Sequence, residues 1–144
     1  MDKSVNIDFV SVVEETFALE EQPLAQYSSL ALAYIGDGVY DLIIRTMVVE
    51  KGNARANLLH KTVSGMVKAS AQAEIIKKIE PVLTEEEKGV YRRGRNAKSY
   101  TKAKNASLSD YRQATGFEAL IGYLYLAHKM DRILELVKLG LQEG

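Results

Sequence analysis

The 144-residue chain has no cysteine and no tryptophan, and it has only two prolines. Without cysteine, a disulfide framework and a thiolate metal knot are both excluded. Pro23 and Pro81 are the only residues that would break a helix interior, so long helices are open to most of the chain. Long apolar runs free of charge are also missing: Asp37 and Asp41 interrupt one, and Glu118 interrupts the other. Such runs are poor membrane spans. The N-terminus is acidic and lacks the basic start and apolar stretch of a secretory signal. A soluble, cytoplasmic protein is the expectation. Net charge is absent too, since 19 basic and 19 acidic residues cancel, and the total points to no partner.

The distribution of charge says more than its sum. Residues 1–22 hold six acids against Lys3 alone. Residues 88–104 hold seven bases and no acid. Such asymmetry marks either a nucleic-acid contact or a solvated surface segment.

Periodicity predicts an all-α fold of six or seven helices. Residues 1–22 form an N-terminal arm or short helix, and residues 23–144 form one domain. The first strong helix starts near Ser28 or Ser29 and stops at Gly52, with apolar residues around most of its circumference. Segments 54–68 and 69–80 follow, the second ending before Pro81. Thr84 and Glu87 form a capping box for a helix reaching into VYRRGR, with the acids of residues 85–87 read as an exposed cap. Gly94 and the polar run over 96–109 read as a basic loop, which leads to a second apolar helix capped by Ser107 or Ser109. The chain closes on an amphipathic helix marked by Met130, Ile133, Leu134, Val137 and Leu141. No alternating runs with turn signals argue for sheet.

Two apolar stretches organise the rest, Ser29–Met47 (SLALAYIGDGVYDLIIRTM) and Ala114–Ala127 (ATGFEALIGYLYLA). Each carries an isolated internal acid, Asp37 in the first and Glu118 in the second, and an unpaired buried carboxylate is costly. Gly36, Gly38, Gly116 and Gly122 each cost a helix about 1 kcal/mol relative to alanine. They are expected where two backbones approach closely. If the helices cross there, the two acids meet and together hold a divalent cation. The other reading is a buried carboxylate satisfied by an arginine or by helix-end amides. His60 and His128 have no partner at metal-ligand spacing and read as helix-end or surface residues.

These residues carry a resemblance. YIGDGVYDL is similar to the signature segment of the ribonuclease III family, and FEALIGYLYL resembles that family's second acidic segment. VYRRGRNAKSY and the short chain resemble mini-ribonuclease III, the branch without a double-stranded-RNA-binding domain. The likeness covers roughly residues 24–128. It implies a ribonuclease III-type helical endonuclease domain, with Asp37 and Glu118 as catalytic, metal-binding carboxylates and Mg²⁺ as cofactor. Larger family members carry two further acids at positions that here are Ala33 and Thr115. A single well-held ion, or a second one recruited only by the RNA phosphate, is therefore expected, with Asp41 and Thr115 as outer-shell candidates.

The implied reaction is hydrolysis of double-stranded RNA by a homodimer formed through the helix around residues 30–47, in maturation of the large-subunit (23S) ribosomal RNA. Arg92, Arg93, Arg95, Lys98, Lys102 and Lys104 are the RNA-binding candidates, a charge-and-shape clamp suited to A-form RNA. Two other readings compete. One is a non-catalytic RNA-binding dimer that keeps the fold. The other is an all-helical nucleotide pyrophosphohydrolase, whose usual Glu-x-x-Glu pairs are absent from the core helices of this chain.

Overall fold

A computed structural model describes residues 8–98 and 107–142. It contains seven α-helices and no strand among the described residues: α1 (Phe9–Thr16), α2 (Ser29–Lys51), α3 (Ala56–Val67), α4 (Ala69–Ile79), α5 (Glu85–Asn96), α6 (Leu108–Leu126) and α7 (Met130–Leu141). Single 3₁₀ turns at Leu24–Gln26 and Glu80–Val82 follow the two prolines or contain them. The helix starts are chemical. Asp8, Ser28, Thr84 and Ser107 each accept a first-turn backbone N–H, and Thr84 with Glu87 completes the capping box.

The centre of the fold is α6, where nine of nineteen residues are buried, on every side of the helix. α2, α4, α5 and α7 pack around it. α2 is one-sided instead. Leu32, Ala33, Gly36, Tyr40 and Ile44 form its buried face, while Leu30, Tyr34, Leu42 and Val49 are exposed, Tyr34 by 86 %. At 100° per residue those exposed side chains share a second stripe. The apolar circumference read from sequence is thus a core face plus an open face.

Glycine sets how closely the helices cross. A Cβ at Gly36 would overlap the Glu118 carbonyl oxygen, and one at Gly122 would overlap the Leu32 carbonyl oxygen. Gly94 and Gly116 do the same work between α5 and α6, against Ala119 and Tyr91. Gly38 does not belong to this set, because nothing lies within 4 Å of its would-be Cβ.

Three other expectations need correction. Glu87 is not an exposed cap but is 6 % exposed, and Arg132 of α7 donates to both of its oxygens at 2.9 and 2.8 Å. The arginine beside it holds its carboxyl below the usual carboxylate range. Gly94 lies inside α5, not in a loop. Leu134 is 45 % exposed, and Gly140 occupies the inner face of α7 against Ile75.

Candidate active site

Asp37 leaves α2 beside Gly36, and Glu118 leaves α6 at the same crossing. The two carboxyl groups lie within hydrogen-bonding reach of each other. Between α2, which carries Asp37, and α6, which carries Glu118, the chain runs through three other helices, so the meeting is a product of the fold. Burial raises the Glu118 carboxyl far above its ordinary range, to about 8, with the neighbouring Asp37 adding to the effect. Among the described residues neither acid pairs with a lysine or arginine.

Packing fixes this crossing. Tyr40, one turn beyond Asp37, meets Phe117 edge-to-face with ring centroids 5.2 Å apart. Its hydroxyl donates to the Met66 carbonyl at the end of α3, at 3.0 Å. Gln72, on the first turn of α4, is 2 % exposed. Its amide Nε2 donates to the Val67 carbonyl at 2.7 Å and to Glu118 Oε2 at 3.3 Å. Gln72 Oε1 is buried without a partner among the described residues. Sequence reading passed over this residue, because an amide among alanines and isoleucines carries no spacing signal.

The donor set suits a hard divalent ion. Two carboxyl groups converge without a cationic partner among the described residues, one of them held against ionisation by its surroundings. An unpartnered amide oxygen also belongs to the residue that touches Glu118. Mg²⁺ needs few protein ligands, because waters and phosphate oxygens complete its shell.

The outer-shell candidates make other bonds. Asp41 forms an ion pair with Arg45 at 2.7 Å. The Thr115 hydroxyl donates to the Tyr111 carbonyl at 3.0 Å. Ala33 is buried on the face of α2 that meets the core.

Of the basic candidates, Arg92, Arg93 and Arg95 lie on the last turns of α5 and Lys98 just beyond it. None of the four pairs with a carboxylate among the described residues. The Arg95 guanidinium sits 5.6 Å from the Tyr91 ring centroid. Gly94, between Arg93 and Arg95, packs on Gly116 and Ala119, which bracket Glu118 on α6. Lys102 and Lys104 fall outside the described residues.

His128 has partners that its sequence neighbours do not suggest. Its Nδ1 is 2.9 Å from Asp8 Oδ1 and its Nε2 is 2.6 Å from Glu21 Oε1, with Glu14 at 3.9 Å. His128, Glu14 and Glu21 could hold a metal ion by proximity, and a protonated imidazole accounts equally well for the grouping.

Comparison with known proteins identifies the family. The Ribonuclease III domain model matches residues 30–129. The chain is 46 % identical to "Mini-ribonuclease 3" of Thermoanaerobacter sp. (strain X514) over 142 residues, covering 99 % of this chain and 97 % of the relative. It is 52 % identical to "Mini-ribonuclease 3" of Clostridium tetani over 120 residues, or 83 % and 80 % of the two chains. A crystal structure from Fusobacterium nucleatum superposes with a TM-score of 0.76 at 33 % identity, covering 82 % of this chain and 96 % of the other. The chain belongs to the ribonuclease III family of endoribonucleases, in its mini-ribonuclease III branch.

Proposed function

We propose that the chain is a Mg²⁺-dependent endoribonuclease that cuts double-stranded RNA as a cytoplasmic homodimer, in maturation of the 23S ribosomal RNA precursor. The observation that carries this reading is the convergence of Asp37 and Glu118 with no cationic side chain among the described residues to neutralise them. Their roles are those of metal-holding, catalytic carboxylates. When bound, Mg²⁺ supplies an activated water and neutralises charge developing on the scissile phosphate. Tyr40, Phe117 and the glycine crossing hold the two acids in register. Arg92, Arg93 and Arg95 flank Gly94, which packs on α6 at Gly116 and Ala119, and with Lys98 just beyond α5 they suit the phosphates of an A-form duplex. Lys102 and Lys104 belong to the same basic segment by sequence.

The exposed stripe of α2 supports the dimer. A groove of about 640 Å³ beside it is lined by Phe9, Tyr34, Asp37, Leu42, Tyr125 and Met130, among others. Asp37 borders that groove, so a second copy docked there would place its own site next to this one. The ribosomal substrate rests on the resemblance to mini-ribonuclease III. No helix among the described residues is long and apolar enough to cross a membrane.

The test is cleavage of a long RNA duplex with and without Mg²⁺, comparing wild type with Asp37→Asn and Glu118→Gln. Metal-dependent cutting that both variants lose while still binding duplex supports the reading. Cutting that survives either substitution overturns the assignment of the acids. Binding without cutting by the wild type would leave only an RNA-binding dimer.

A further inference from the structure

We propose that Gln72 is a positioning residue for Glu118: its amide N–H, anchored by the Val67 carbonyl, fixes the carboxylate from which Glu118 and Asp37 grip a divalent cation. This rests on the reading of the two acids as metal ligands.

The geometry leaves the amide one orientation. Its –NH₂ has two hydrogens, and two acceptors face it, the Val67 carbonyl oxygen and Glu118 Oε2. Turning the amide over would set Oε1 against the Val67 carbonyl oxygen, which can only accept, so the –NH₂ must face both Val67 and Glu118. That orientation leaves Oε1 buried and unpartnered among the described residues, which a residue selected for packing alone would avoid.

The anchor is equally specific. Val67 closes α3 and Lys68 both ends α3 and begins α4, so the Val67 carbonyl is a helix-end acceptor without an intrahelical partner. Gln72 caps it and reaches Glu118 with the same group. Capping alone explains the first bond and not the second. A long carboxylate side chain has three rotatable bonds, and a fixed donor at one oxygen removes much of that freedom. Among the described residues, the other group set against the Glu118 carboxyl is the Asp37 carboxyl, which cannot anchor it with a fixed N–H.

Gln72→Met keeps the length of the side chain and removes both N–H groups. Mn²⁺, a spectroscopic stand-in for Mg²⁺, is titrated into RNA-free protein and free ion is read by electron paramagnetic resonance. Duplex RNA affinity is measured without divalent ions. Mn²⁺ affinity is expected to fall about tenfold or more, with RNA affinity unchanged. In a Glu118→Gln background, Gln72→Met is expected to change Mn²⁺ affinity no further. Lost capping of Val67 lowers the melting temperature on either view, so melting does not discriminate.

Mn²⁺ affinity within twofold of wild type in folded Gln72→Met overturns the inference, and so does an equal loss in the Glu118→Gln background. Affinity that survives Glu118→Gln itself overturns the reading of the acids, a different failure. Should Gln72→Met not fold, ¹⁵N spectra of the wild type replace it. The Gln72 side-chain amide resonances are expected to move when Mg²⁺ is added and to stay fixed in Glu118→Gln; stationary resonances in the wild type overturn the proposal.

Discussion

Gly36 and the carbonyl of Glu118 touch across the α2–α6 crossing with no room for a methyl group between them. The obstruction is backbone, which cannot rotate away as a side chain would. Gly36→Ala must therefore push the two helices apart, and the same movement separates Asp37 from Glu118. Overpacking of this kind costs about 1–3 kcal/mol. Gly36→Ala is expected to lose that much stability in chemical denaturation, and most of its cleavage activity as well. Gly65→Ala on α3 is the control, because nothing lies within 4 Å of its would-be Cβ. It should gain about 0.5–1 kcal/mol from helix propensity. Equal stability of the two variants would contradict the close crossing.

The raised carboxyl of Glu118 makes the metal-free site a source of instability. Its folded value, about 8, lies above the ordinary 4.5, so the folded chain binds the extra proton. The associated stability is present below about 4.5 and is lost as pH rises toward 8. At pH 7 the loss amounts to roughly 3–4 kcal/mol, at about 1.4 kcal/mol for each pH unit above the ordinary value. Glu118→Gln is therefore expected to melt several degrees above wild type in chelator at pH 7–8, with the gap closing near pH 4–5. Added Mg²⁺ should stabilise wild type only. A Glu118→Gln protein less stable than wild type in chelator at every pH would contradict this.

His128 ties α1 and the chain after it to the junction of α6 and α7, through Asp8 and Glu21. Those carboxylates raise the imidazole above its ordinary 6.5, and hydrogen bonds lower Asp8 to about 2. For a raised histidine, stability is fully present below about 6.5 and is lost as pH rises through the folded value. For the lowered aspartate it is present above 3.8 and lost toward 2. The clamp is strongest between about pH 4 and pH 6.5. His128 has a positive φ of 62°, so His128→Asn tests the ring with a residue that tolerates that backbone. The melting advantage of wild type over His128→Asn should peak near pH 5–6 and shrink as pH rises past the ordinary 6.5 and through the raised folded value. A gap independent of pH would contradict an ionic clamp.

Leu42 is 64 % exposed on the open stripe of α2. Leu42→Lys would place a charge in the proposed dimer groove without touching the core. Sedimentation should show a dimer for wild type and a monomer for the variant, with far-UV circular dichroism unchanged. A wild type that sediments as a monomer at all accessible concentrations contradicts the dimer.

Features written in local spacing were legible from the chain. The bounds of α2, the capping box at Thr84 and Glu87, and the isolation of Asp37 and Glu118 on apolar helices all depend on near neighbours in sequence. What escaped depends on distant ones. Gln72 meets Glu118 across 46 positions, Arg132 meets Glu87 across 45, and His128 meets Asp8 across 120. Gly36 and Gly38 looked equivalent because both flank Asp37, yet two residues are 200° apart around a helix. Gly36 faces α6 and Gly38 faces outward.

The most direct measurement is anomalous diffraction from a crystal soaked in Mn²⁺. One anomalous peak within direct coordination distance of a carboxylate oxygen from both Asp37 and Glu118 is the expected result, and Glu118→Gln should lose it. A map with no peak between the two acids, or with the ion held by one of them alone, would contradict a jointly gripped metal.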